Sequence, residues 1–394
     1  MDYRLLILAL GAFSIGTDSY VVAGILPQVA AGFGTSVGRA GQFVSVYAIS
    51  YAVLTPVMAT VTANWPRRNV LLLGLGAFVA SNVVTATAHT FDLALAGRAL
   101  AGLGGAVFTP AASAVATALV PPQRRARALA IVLAGLSAAT ALGAPIGTLV
   151  ASVGDWHATL WFVAAVGATA AAGVAAFLPN TPAAGRITLR ARFAPLSDTR
   201  VAATLATTLL VMTGVFLVYT YISVIFDRAT AGSGSVLAGL LATWGVGATV
   251  GSLQAGALTD RFGNRRVLNV AAAVLALDFA LLPWSSATAG SAVVALAVWG
   301  MCGWGLVVAQ QHRLVGIDSN LAPILLALNA AAIYLGIGAS SALGAILLSS
   351  LGRHQLPVVG ALLIAAGGVM GELAFQLNRS ALQSRPGVSA RESK

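Results

Sequence analysis

The apolar run from Leu5 to Ala30 holds one residue able to carry a full charge, Asp18, within the stretch FSIGTDSYVVAGILP. A carboxylate at bilayer depth costs about 2.5–3.5 kcal/mol on insertion scales, and such groups face a bundle interior or a watery cavity. Burial favours the neutral form of a carboxylate and a nearby cation favours the charged form, so a group moved between those settings can load and unload a proton. Gly11 and Ser14 share the helical face of Asp18 and Thr17 flanks it, which implies an inward face. Arg98 is the candidate partner. Asp18 precedes Pro27 by nine residues, about 13 Å of helix, and Arg98 follows Asp92 by six, about 9 Å, so the two reach similar depths from one side. The chemistry this implies is proton uptake and release at Asp18, with Arg98 biasing it or completing a relay. The competing reading is a fixed ion pair that staples two helices. Asp278 is expected to make a packing hydrogen bond, Glu372 to snorkel toward a span end, and Asp92, Asp155, Asp227 and Asp318 to be solvated end residues.

These side chains need elements that hold them in lipid. The chain has 394 residues, 58% of them hydrophobic and 8% charged, against about 25% charged in soluble domains. Its mean hydropathy is +0.89. Apolar runs long enough to cross about 30 Å of hydrocarbon recur throughout. Twelve spans are predicted, over 4–30, 40–62, 69–88, 92–118, 127–151, 157–178, 201–226, 235–258, 266–286, 289–311, 321–350 and 356–378. With a cytoplasmic N-terminus, eighteen of the 22 basic residues fall on the inner side, three (Arg39, Arg228, Arg353) on the outer side, and Arg98 within a span. That asymmetry obeys the positive-inside rule and supports both the orientation and the even count. The net charge of +11 forms no continuous patch, which argues against a nucleic-acid partner. One cysteine, Cys302, excludes an intrachain disulfide, and the first run is too long for a signal-peptide core, so it is read as a retained helix.

The most polar connection, PNTPAAGRITLRARFAPLSDTR, lies at the chain midpoint. It divides the chain into a six-helix bundle over 1–178, a cytoplasmic linker over 179–200, and a second six-helix bundle over 201–394 that includes a short cytoplasmic tail. Parallel repeats of this kind are a known transporter plan. The loop GALTDRFGNRR, from Gly256 to Arg266, recurs in weaker form half a chain earlier as ATVTANWPRR. Through Gly256, Leu258, Asp260, Arg261 and Gly263 it resembles the G-x-L-a-D-R-x-G-R-R signature of the major facilitator superfamily, although Ala63 and Pro66 depart from it in the first copy. Arg98 and Gly102 resemble the R-x-x-x-G of that superfamily's fourth helix. Gly143, Pro145 and Gly147 resemble its Gly/Pro-rich antiporter motif. GTDSYVVAGILPQVA, with TYI at Thr220–Ile222 and Trp156 before span six, is similar to bacterial drug/proton antiporters and sugar-efflux permeases, including chloramphenicol-resistance exporters. Asp18 stands where Glu is frequent, and His157 where Arg is usual.

The resemblance implies an all-α membrane protein, with twelve transmembrane helices in two pseudo-symmetric six-helix bundles, in the bacterial inner membrane with both termini cytoplasmic. It implies proton-coupled antiport of small neutral or amphipathic drugs by alternating access, with Asp18 and Arg98 as the coupling pair. Protons are the coupling ion and no cofactor or metal is expected. A monomer, a small-molecule substrate and the bilayer are the expected state and partners. By the same resemblance Tyr20, Tyr47, Tyr51, Tyr219, Tyr221, Trp244, Trp304, Asn329 and Tyr334 are candidates for substrate contact, whereas Trp65, Trp156 and Trp284 are read as interfacial anchors. A sugar or metabolite exporter is the alternative. A membrane-embedded enzyme is disfavoured: His89, His157, His312 and His354 are far apart, and no H-E-x-x-H, cysteine cluster or nucleotide loop occurs.

Overall fold

The computed structural model describes residues 2–180 and 188–383. Among the described residues the regular structure is helical, and twelve helices are long and apolar enough to cross a membrane. They are α1 (Tyr3–Gly32), α2 (Val37–Val61), α3 (Arg67–Ala86), α4 (Phe91–Ala118), α5 (Pro122–Val153), α6 (Trp156–Phe177), α7 (Thr199–Thr220), α8 (Gly234–Phe262), α9 (Asn264–Ser285), α10 (Ala289–Ile317), α11 (Ser319–Ser350) and α12 (Arg353–Arg379). The linker expected over 179–200 lies partly outside the described residues; its described part contains a short helix, Leu189–Phe193. The expected tail beyond residue 383 also lies outside them.

Local signals set the helix ends. Asp2, Thr90, Asp155, Asp198, Ser233 and Thr288 each cap a helix by accepting a backbone N–H through the side chain. Gly263 alone separates α8 from α9, at φ +78° and ψ 147°, a conformation that suits glycine. Two expected spans end elsewhere. The seventh stops at Thr220 rather than 226, because the chain leaves helical geometry at Tyr221 and continues as the short helices Ile222–Ile225 and Asp227–Thr230. The tenth runs on to Ile317. Gln310 at the expected end and Arg313 beyond it are accommodated by the bundle interior: Gln310 Nε2 donates to the Thr204 carbonyl at 3.1 Å and Arg313 Nη1 to the Gly371 carbonyl at 2.8 Å. A window of apolar residues misses a helix end of that kind.

The helices form two six-helix bundles, α1–α6 and α7–α12. Within each, small residues let backbones touch, which is how helices associate in lipid. A Cβ on Gly104 would lie 2.8 Å from the Gly74 carbonyl oxygen, joining α4 to α3, and one on Gly214 would lie 2.6 Å from the Gly360 oxygen, joining α7 to α12. α5 contains a π-helical turn, Ala139–Gly143, directly before Pro145. Proline cannot supply the N–H that a regular turn needs, and the widened turn absorbs the misfit.

The bundles meet along two seams, α2 against α11 and α5 against α8. Among the described residues, hydrogen bonds that cross between them include Ser341 Oγ to the Gly41 carbonyl at 2.5 Å, Ser45 Oγ to the Gly338 carbonyl at 3.0 Å, and Tyr219 Oη to the Tyr20 carbonyl at 3.1 Å. Gly38 abuts Ala345, Gly234 abuts Ser152, and a Cβ on Gly245 would sit 2.3 Å from the Thr140 oxygen at the π-turn. These contacts run from the helix middles to the end opposite Arg67, Arg124 and Arg265.

Gly245→Leu would force backbone apart at this seam. Overpacking of 1–3 kcal/mol is expected to raise alkylation of Thr148→Cys, a buried site behind the seam, by about tenfold in a Cys302→Ser background. Unchanged labelling would show that the seam yields without opening.

Candidate functional site between the bundles

Asp18 and Arg98 meet in the interior of the first bundle. Arg98 Nη1 donates to both carboxylate oxygens at 2.8 Å, with both side chains almost fully buried. Arg98 Nε points to the Phe43 carbonyl at 3.3 Å, and its guanidinium carbon lies 4.8 Å from the centre of the Tyr47 ring. One arginine therefore binds α1, α2 and α4 together through a carboxylate, a carbonyl and an aromatic face. The helical face of Asp18 turns into the first bundle: Ser14 Oγ donates to the Val163 carbonyl of α6 at 3.0 Å, and Gly11 packs on the Phe108 ring of α4. α5 closes on the neighbouring face, where a Cβ on Gly143 would fall 2.0 Å from Thr17 Oγ1 and one on Gly147 would fall 2.4 Å from Val21. The Gly/Pro-rich segment thus lies against α1 from the residue before the acid to nearly one turn after it, and also against α8 of the other bundle through Thr140.

On the central side of this pair lies a crevice lined by Ser19, Tyr20, Val44, Tyr47, Arg98, Tyr334 and Ile337. Its volume, about 10 Å³, is close to the minimum for one water. Ser19 Oγ and Tyr47 Oη are 2.7 Å apart. Tyr51 stacks on Tyr334 with ring centres 3.8 Å apart, and Tyr47 lies 6.3 Å from the same ring. Tyr20 starts a second aromatic group, with Tyr219 at 5.8 Å, Trp244 at 5.9 Å, Trp304 at 6.3 Å and Phe216 at 6.4 Å. Trp299 extends it, 5.9 Å from Trp244. The buried indole N–H groups of Trp244 and Trp299 have no acceptor.

Seven of the nine aromatic and polar candidates, Tyr20, Tyr47, Tyr51, Tyr219, Trp244, Trp304 and Tyr334, gather in the two central aromatic groups. Two do not. Tyr221 belongs to the seam, where its hydroxyl donates to the Ser341 carbonyl at 2.8 Å. Asn329 lies inside the second bundle, accepting from Thr208 Oγ1 at 2.8 Å in a polar nest with Gln310. Ser19, Phe216, Trp299 and Ser341 were not singled out. Phe216 lies three residues before Tyr219 and so shares its face, a signal that periodicity alone could have supplied.

Several acids differ from expectation. Asp278 makes no packing hydrogen bond among the described residues, and its buried Oδ2 has no partner. Glu372 does not simply snorkel: it pairs with Arg265 and accepts from Asn269 Nδ2 at 3.1 Å. Trp156 is not an interfacial anchor but is buried against Phe33, with ring centres 5.4 Å apart, whereas Trp65 and Trp284 are exposed. Asp155 caps α6 through the Ala158 N–H and meets His157 Nδ1 at 3.0 Å. Asp227 is clamped rather than merely solvated, 2.8 Å from His354 Nε2 and 3.0 Å from Arg353. In the GALTDRFGNRR loop, Gly256 and Asp260 fall within the last turns of α8, and Arg261 lies 5.1 Å from the Phe262 ring centre. Among the described residues no cluster of three or more His, Cys, Asp or Glu is placed to hold a metal.

Residues 8–316 match the family model of the Major Facilitator Superfamily. The chain belongs to that family. A chloramphenicol resistance protein of Streptomyces lividans is 34% identical over 287 residues, covering 72% of this chain and 73% of that one. The inner membrane transport protein YdhP of Escherichia coli K12 is 29% identical over 364 residues, 92% and 93% of the two chains. Among solved structures, a bacterial homolog of the human lysosomal transporter Spinster superposes with a TM-score of 0.74 at 16% identity over 98% of each chain. The nucleoside transporter NupG superposes at 0.72 and 13%, covering 95% of this chain and 98% of its own. This superfamily chain is a multi-pass bacterial membrane transporter whose two bundles share the likeness of that fold.

Two predictions follow from these contacts. Removing one member of a buried ion pair strands the other, at a cost of about 3–5 kcal/mol. Asp18→Asn and Arg98→Gln should each lower the unfolding temperature in detergent, and the double variant should recover much of the loss. At the loop, burial works against ionisation of Asp227, but the His354 hydrogen bond, the Arg353 charge and the Arg228 N–H outweigh it and hold the carboxyl below its usual range. The clamp then contributes stability above pH about 4 and loses it as pH falls through the lowered folded value. The stability gap between wild type and Asp227→Asn should close in that acid window; a gap unchanged at low pH would refute the clamp.

Proposed function

We propose that this chain is a proton-coupled exporter of small neutral or amphipathic drugs, working by alternating access. The observation that carries the reading is the buried Asp18–Arg98 pair beside a crevice too small for any substrate. In this state Asp18 is matched by a cation, so the charged form has its partner. Protonating Asp18 removes that attraction and frees Arg98, whose other contacts are the Phe43 carbonyl and the Tyr47 ring on α2. α2 is also the helix that forms the seam with α11 through Ser45, Gly41 and Tyr51. Proton binding at Asp18 is thereby mechanically adjacent to the seam that must separate.

The positive-inside asymmetry supports cytoplasmic termini, in which case the closed seams face outward. Substrate enters from the cytoplasmic side and is released when the seams part. In this reading the domain boundaries follow the midpoint linker, 1–178 and 201–394 each moving as a unit. The crevice offers aromatic faces, hydroxyls and Arg98 but no amide or carboxylate lining. That favours an aromatic or amphipathic solute with oxygen acceptors over a sugar, and the unpartnered indoles of Trp244 and Trp299 are donors for such oxygens. The chloramphenicol-resistance relative supports the same substrate class. One charge crossing 100 mV releases about 2.3 kcal/mol, enough for roughly a fiftyfold gradient of a neutral solute per proton.

The test is substrate-driven proton release from the purified protein across a panel of antibiotics and sugars. Wild type is expected to release protons on adding an amphenicol-like compound, and Asp18→Asn is expected to lose the release. Retained release in Asp18→Asn would move the proton site elsewhere, with Asp278 the next acid to test. Binding without release in wild type would indicate a passive facilitator.

A further inference from the structure

On the outer surface of the second bundle, α8, α9 and α10 enclose a cleft of about 410 Å³, distinct from the central crevice. Its wall is almost wholly apolar, with Leu258, Val270, Val274 and Met301 among its lining residues, all of them exposed on the face that meets hydrocarbon. Glycine makes the hollow. At its upper end α8 and α10 touch backbone to backbone, since a Cβ on Gly251 would fall 2.2 Å from the Met301 oxygen. One turn further along, a Cβ on Gly305 would meet its first neighbours only at 3.9 Å and 4.0 Å. The helices diverge there and no side chain fills the gap.

The mouth of the cleft is cationic. Arg266 lines it and has no hydrogen bond or ion pair among the described residues. Arg265 beside it is engaged by Glu372, and Arg261 rests on the Phe262 ring. Asp260 is the acid of the same GALTDRFGNRR segment, whose three arginines leave it a positive balance. From Arg266 to Val274 the cleft follows α9 for eight residues, about 12 Å, close to half of the ~30 Å hydrocarbon thickness. A cation at headgroup level above an apolar slot one leaflet deep is complementary to an anion carrying an acyl chain.

We propose that this cleft binds an anionic phospholipid of the leaflet facing the arginine-rich ends, with one acyl chain along α9 and its phosphate at Arg266. The site is independent of the transport reading: it needs neither Asp18 nor a substrate. A lipid wedged between α8 and α10 would brace α8, the helix that presses on the π-turn of α5 through Gly245, so its occupancy bears on the seam.

Cys302, the single cysteine of the chain, lines the cleft half-buried and serves as a built-in reporter. The full-length protein in detergent is titrated with phosphatidylglycerol or with phosphatidylcholine of the same chains while maleimide alkylation of Cys302 is followed. Phosphatidylglycerol is expected to slow alkylation saturably and at about fivefold lower concentration than phosphatidylcholine, the preference that one arginine confers near an anionic headgroup. Arg266→Gln should abolish the preference and Arg266→Lys retain it. Gly305→Leu, which fills the slot, should remove lipid protection altogether. Equal protection by the two lipids in wild type, an undiminished preference in Arg266→Gln, or full protection in Gly305→Leu would each overturn the assignment.

Discussion

A charge of each sign is buried where lipid-spanning helices ordinarily keep none, and the first bundle is organised around satisfying both. Desolvating two such groups is expensive, and their attraction offsets the cost only with good geometry and further partners. Here the further partners are the Phe43 carbonyl and the Tyr47 face. The pair therefore requires α2 as well as α1 and α4, and positioning α2 positions Tyr47, Tyr51 and the seam against α11. The glycines and serines that flank Asp18 serve the same end by letting α4, α5 and α6 close around it, leaving the acid out of lipid.

The contact between bundles has a different character from the contacts within them. Inside each bundle, interdigitating apolar side chains and glycine-mediated backbone approaches predominate. Between the bundles, a shared apolar core, with Val22, Leu26 and Phe43 of one against Phe216, Ile222 and Leu241 of the other, is joined by serine hydroxyls reaching carbonyls, by stacked tyrosines and by a glycine contact at the π-turn. Hydrogen bonds of this sort contribute about 1 kcal/mol each, and flat aromatic stacks can slide, so such seams are separable at moderate cost. A transporter that alternates needs bundles that hold their shape and an interface that does not hold too tightly.

The central crevice adds a constraint on substrate binding. It has room for about one water, although rings from six helices border it or lie close by. Its walls come from both bundles, Tyr20 and Tyr47 from one and Tyr334 and Ile337 from the other, so its volume is set by their separation. Under the proposed alternating access, the motion that parts the seams would also enlarge the crevice. Aromatic faces without fixed polar partners suit solutes of varied shape, while Arg98 and the unpartnered indoles supply a few directional contacts.

Composition and periodicity by themselves determined the twelve spans and their grouping into two bundles, because hydrocarbon thickness sets the length of an apolar helix and lipid forbids an unpaired backbone. The spacing of Asp18 and Arg98 from their helix ends was also legible, since helix rise converts residue count into depth. Span ends were less so. The seventh helix breaks where Tyr221 reaches Ser341, and the tenth continues past its expected end, where Arg313 finds the Gly371 carbonyl of a neighbouring helix, neither of which is a local property. Tertiary structure alone decided which aromatics gather at the centre, and sent Tyr221 to the seam and Asn329 into a polar nest with Thr208. It also buried Trp156 and left Asp278 without the hydrogen bond its position suggested. Depth along a helix is written in one dimension; the direction a side chain faces depends on which neighbour covers that face, and only the packed bundle supplies it.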